Sequence, residues 1–171
     1  MSGIEIFIDE TSLPGRAMGH RLQGQSPGLP DGVWRDGALE TVLSALGKQV
    51  PPAAREVLRF YARMTRPSDW SDPGIGPVSY VAQSRLVEEL GLSRKSVYTA
   101  ELRLAALGLI AKLAADNGRR HGPTGSGLQP CGIYFAPLIE NYPTFAAEAA
   151  ETAASRDRLH VARRLASQMR F

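Results

Sequence analysis

Apolar residues return at helical spacing in several blocks of this chain, and each block is bounded by residues that stop helices. Leu39, Val42, Leu43 and Leu46 share one face of a first helix, expected over residues 37–47 with Asp36 as its N-cap. Pro51 and Pro52 open a second helix, because a proline in the first turn forfeits only an amide that has no intrahelical partner. Val57, Leu58, Tyr61 and Met64 repeat along it, with Arg55, Arg59, Arg63 and Arg66 on its other faces. Arg66–Pro77 (RPSDWSDPGIGP) reads as a loop.

The middle of the chain is the most informative. Pro77–Val81 (PVSYV) is a short strand. Ser84–Leu90 is a short helix that Gly91 ends in the left-handed conformation, and Ser93 caps a longer helix, Arg94–Leu107. Leu109–Leu113 and Cys131–Phe135 are two further strands, flanking a glycine-rich loop that carries Arg119, Arg120 and His121. Strand, helix, tight turn, helix and hairpin follow in the order of a winged helix-turn-helix. The expected fold is mainly α with a small β wing, N-terminal helices and a long C-terminal helix.

The two ends differ from this middle. Residues 1–32 mix one apolar patch (Ile4, Ile6, Phe7, Ile8) with many prolines and glycines, which predicts a flexible arm. Residues 33–138 form the expected DNA-binding domain and 139–171 the C-terminal helix. That helix is expected to start at Thr144, after a break at Tyr142-Pro143. Leu159, Ala162, Ala166 and Met169 keep 3,4,3 spacing at its end, among several arginines. Such an end either packs on its own domain or pairs two chains into a homodimer.

Charge sharpens the picture. Lys and Arg number 20 against 17 Asp and Glu. The excess is uneven: residues 1–50 sum to −2, whereas residues 76–130 sum to +3. The positive segment is the one with the helix-turn-helix pattern, which favours a surface facing a polyanion. At about 100° per residue, Val97, Ala100, Leu104 and Leu107 form the core arc of the longer helix. Lys95, Tyr98, Thr99, Leu102, Arg103 and Ala106 lie opposite. Arg94 and Lys95 can meet phosphate or a guanine edge, Tyr98 and Thr99 offer hydroxyls, and Ser93 with the helix N-terminus suits a phosphate. The DNA-contacting set is therefore Ser93, Arg94, Lys95, Tyr98, Thr99 and Arg103, joined from the wing by Arg119, Arg120 and His121. Leu102 is expected to pack beneath the wing, the last helix or a second subunit. Glu101, at the edge of the core arc, adds negative charge that DNA binding does not want.

Other function classes find little support. The 171 residues hold one cysteine and three scattered histidines, so a disulfide framework is excluded and neither a metal nor another cofactor is expected. The phosphate-binding GxxxxGK[ST] loop and HExxH do not occur. Gly122–Gly127 (GPTGSG) lacks the lysine that a phosphate-binding loop requires, and Cys131 reads as a small buried residue. The chain is expected to be no enzyme and to take no small-molecule substrate. No apolar run approaches the roughly 18 residues of a membrane span and no signal segment opens the chain, so a cytoplasmic protein is expected.

Several stretches resemble the N-terminal region of replication protein C, the initiator of RepABC plasmids. They are Asp69-Trp70, Leu86-Val87-Glu88-Glu89-Leu90-Gly91-Leu92-Ser93, Ala105-Ala106-Leu107-Gly108-Leu109-Ile110, and Gly132-Ile133-Tyr134-Phe135-Ala136-Pro137-Leu138. The last resembles the family's glycine-phenylalanine-aspartate-leucine-x-proline-leucine stretch. Val81, Ala82 and Gln83 stand where the family commonly has proline, serine and asparagine, and Tyr98 and Thr99 where it often has arginines. The resemblance implies sequence-specific binding of double-stranded DNA at a replication origin. The family's proteins continue into a second domain, so this chain is expected to be an N-terminal fragment or a short relative. A short relative fits a transcriptional regulator of a plasmid or integrative element. A winged helix used to dock protein is the reading from another class.

Overall fold

The computed structural model describes residues 26–113, Arg120 and residues 131–169. Helix α1 spans Arg35–Leu46 and α2 spans Pro52–Arg63, with a 3-10 turn at Gly47–Gln49 between them. A second 3-10 turn, Pro67–Trp70, leads to strand β1 (Val78–Ser79). Then come α3 (Gln83–Leu90), α4 (Arg94–Ala106), β2 (Ala111–Leu113), β3 (Gly132–Tyr134) and α5 (Ala136–Gln168). The molecule is mainly α with a small antiparallel wing, as the hydrophobic pattern implies.

The strands lie in the order β1-β3-β2, both pairs antiparallel. Val78, Tyr134 and Ala111 are in register on one row, and Ser79, Ile133 and Lys112 on the next. Alternate residues face opposite sides of a sheet. Ile133 accordingly joins the main helical core, while Val78, Ala111, Leu113 and Tyr134 form a small cluster of their own. Gly132 is required by proximity: a Cβ there would lie 2.5 Å from the Ser79 carbonyl oxygen. Gly132→Ala is expected to force β1 away from β3 and cost about 1–3 kcal/mol, which thermal unfolding of the variant measures.

The main core joins Leu39, Val42, Leu43 and Leu46 of α1 to Val57, Leu58 and Tyr61 of α2, Leu86 of α3, and Val97, Ala100 and Leu104 of α4. Phe135, Leu138, Ile139 and Phe145 close it from the start of α5, which packs along α1.

Three expectations about boundaries need correction. Asp36 is not the cap of α1; the helix begins at Arg35, two residues before the expected start, and the Asp36 carboxylate instead accepts a hydrogen bond from Arg35 Nε at 2.8 Å. The end of the N-terminal arm is packed. Ser26 and Leu29 are buried, Ser26 bridges Gly74, and the Leu29 amide donates to the Trp70 carbonyl at 2.7 Å. Residues 1–25 of that arm lie outside the described residues. Finally, α5 does not break at Pro143. The proline deprives the helix of one amide donor, yet Ile139, Tyr142 and Phe145 on either side of it are buried while Pro143 is exposed. Packing thus keeps the two halves in line, and the helix starts at Ala136, so β3 runs into it directly.

Candidate nucleic-acid interface

Short-range rules aim α4. Gly91 ends α3 with φ +64°, a left-handed conformation that side chains disfavour, and its amide donates to the Val87 carbonyl at 3.1 Å. Two residues later the Ser93 hydroxyl accepts from the Ser96 amide at 3.1 Å and caps α4. A three-residue turn between two packed helices leaves α4 little freedom. Val97, Ala100 and Leu104 anchor its inner face to α2 and α3.

The opposite face is exposed. Ser93, Arg94, Lys95, Tyr98, Thr99 and Arg103 are all open to solvent, as the helical wheel requires. Lys95, Thr99 and Arg103 line a groove of about 380 Å³ together with Pro51 and Ala53 at the start of α2. Arg103 is steadied there by its Nε, which donates to the Gln49 carbonyl at 3.0 Å. Leu102 is 42% exposed in the middle of this face, and no described residue covers it.

Beneath the face lies a charge cluster that the sequence reading did not anticipate. Glu101, 2% exposed, is the acceptor of four hydrogen bonds. Its Oε1 receives the Tyr61 hydroxyl and Arg120 Nη2, the latter at 2.6 Å; its Oε2 receives Gln83 Nε2 at 2.7 Å and Lys112 Nζ at 2.8 Å. Arg120 Nη1 also donates to the Tyr61 oxygen at 2.7 Å and the Val81 carbonyl at 2.6 Å. The Lys112 ammonium sits 5.5 Å from the centre of the exposed Tyr98 ring. Burial by itself would push the Glu101 carboxyl up, but Arg120 and Lys112 outweigh it and hold the group below its ordinary value. Burial, aided by the Glu101 charge, pushes the Tyr61 phenol upward, so it remains a donor.

This cluster corrects two expectations. Arg120 does not extend toward a phosphate backbone: its side chain is 4% exposed and turned inward onto Glu101, where it joins Lys112 in neutralising a buried carboxylate. Glu101 in turn does not spoil the exposed face, since two cations neutralise it from below. The available signal was an acid on the core arc of an amphipathic helix, a position that demands a cation. Arg119 and His121, the other wing residues singled out, lie outside the described residues.

The family described as "Replication protein C N-terminal domain" matches residues 21–171. The chain belongs to that family. It is thereby placed among plasmid replication proteins. Neither a curated protein nor a solved structure matches it. In this replication protein C N-terminal domain, the family-like stretches are largely structural. Trp70 is buried against Phe135 with ring centres 5.0 Å apart, and Ile133, Phe135 and Leu138 of the stretch after the wing are core residues. Among the described residues, no helix is long and apolar enough to cross a membrane.

Proposed function

We propose that α3, α4 and the β2–β3 wing form a winged helix-turn-helix that binds double-stranded DNA sequence-specifically at a replication origin. The observation that carries this reading is the exposed face of α4. It gathers Ser93, Arg94, Lys95, Tyr98, Thr99 and Arg103, while the single acid of the helix is turned inward and neutralised. Arg94 and Lys95 stand in the first turn, the part of a recognition helix that reaches base edges in the major groove. Arg103, exposed beside the start of α2, can meet a phosphate of the adjoining strand. Arg119 and His121 add backbone contacts from the wing. In this reading the protein acts in the cytoplasm by binding alone, with no catalytic residue, metal or cofactor.

A mobility-shift series against origin DNA and an unrelated duplex tests it. About five phosphate contacts give a log–log salt slope near −4 to −5. Lys95→Ala is expected to cost about 1–3 kcal/mol at the specific site and to relax sequence choice. Arg119→Ala is expected to weaken all duplexes alike. Equal losses on both duplexes for Lys95→Ala would remove α4 as the reading element. The exposed Leu102 favours a second reading, a protein-docking helix. Absence of any salt-sensitive shift would decide for it.

A further inference from the structure

We infer that the distal half of α5 is a pairing surface for a second copy of this chain, running antiparallel to it. Every residue from Arg156 to Met169 is exposed, so about 20 Å of helix leaves the domain with no described residue packed on it. Helices in proteins draw most of their stability from packing of an apolar face, and this stretch leaves its apolar face in water. That side exists: Leu159, Ala162, Ala166 and Met169 repeat at 3,4,3 spacing, with Leu159 58% and Met169 82% exposed.

Charge selects the partner and its direction. Residues 145–155 of α5 carry Glu148 and Glu151, giving −2, while residues 156–169 carry four arginines and Asp157, giving +3. A parallel copy would set Arg163 and Arg164 beside their own equivalents. An antiparallel copy centred near Asp157 sets each acidic half along the partner's basic half. In that register Leu159 comes level with the partner's Ser155, Ala162 with the partner's Thr152, and Ala166 with the partner's Glu148. Arg163 comes level with the partner's Glu151. The small residues Ser155, Ala162 and Ala166 let the two backbones approach, and the two Leu159 side chains flank the two-fold axis. The surface is independent of the DNA-binding reading, and its test contains no DNA.

Light scattering coupled to size exclusion, on the full chain from micromolar to sub-millimolar concentration, is expected to reach twice the mass of one chain. Leu159→Asp, a change at an exposed position, is expected to raise the dimer dissociation constant about tenfold or more with helix content unchanged. Glu151→Arg is expected to weaken pairing, and adding Arg163→Glu to restore it. The double variant Thr152→Cys/Ala162→Cys is expected to form an intermolecular disulfide on mild oxidation, and Ala162→Cys alone not to. A single-chain mass throughout overturns the inference. So does a dimer indifferent to Leu159→Asp, or one that cross-links through Ala162→Cys alone. Charge reversals that leave the dimer mass unchanged overturn the antiparallel register.

Discussion

Glu101→Gln is expected to destabilise the fold by about 3–5 kcal/mol. The substitution keeps the shape of the side chain and removes only its charge, leaving Arg120, 4% exposed, and Lys112 facing each other with no anion between them. Two of the four hydrogen bonds must also be lost, because each carboxylate oxygen accepts two and an amide keeps a single acceptor oxygen. Urea denaturation of the variant measures the loss. Glu101→Leu combined with Arg120→Leu is expected to recover much of it, since it removes both fully buried charges and leaves only the partly exposed Lys112, whose ammonium can turn to water. A cost below about 1 kcal/mol for Glu101→Gln would mean that water reaches the cluster. The same group sets an acid limit. Its carboxyl lies below the ordinary value in the folded chain and returns to about 4.3 when unfolded. Its stabilising contribution is therefore complete above pH of about 4.3 and is lost as the pH falls through the folded value. Glu101→Gln is expected to flatten that part of the stability profile.

Trp70→Ala is expected to cost a similar amount, about 3–5 kcal/mol, through the cavity left by a large ring that cannot fully collapse. Trp70 is 1% exposed, stacks at a tilt on Phe135, and donates its indole N–H to the Thr65 hydroxyl at 2.8 Å. The variant loses the hold of the 65–76 loop on the start of α5. Fluorescence gives a clean readout, because the chain has two tryptophans and Trp34 is 75% exposed. Emission of the folded variant is expected to shift to that of a solvated indole and to change little on unfolding. Wild-type stability in the variant would mean that the loop is held by its backbone alone.

Much of the architecture was legible in the sequence because local signals agreed with one another. Gly91 and Ser93 marked the tight turn, Pro52 opened α2, and the periodicity of Val97, Ala100 and Leu104 set the inner face of α4. The exposed set on α4 followed from the same wheel. What was not legible depended on long-range packing. Pro143 is a local stop signal, overridden by burial of Ile139, Tyr142 and Phe145 around it. Ser26 and Leu29 sit in a glycine- and proline-rich stretch whose partners, Gly74 and Trp70, are more than forty residues away. Arg120 reads as one charge in a basic loop, and only the fold brings it to Glu101. An acid inside an apolar stripe was the single local clue to that cluster.

The junction of β3 and α5 has a mechanical consequence. Phe135 is the one residue between β3 and the first turn of the helix, its amide donating to the Pro77 carbonyl at 3.0 Å, so there is no slack between sheet and rod. With 33 residues, α5 is a strut about 50 Å long. Because the first half of the rod is packed along α1, a lean imposed on its far end is carried to α1 and to the middle strand of the sheet together. Whatever grips the tip therefore pulls on the helical core and the wing as one unit.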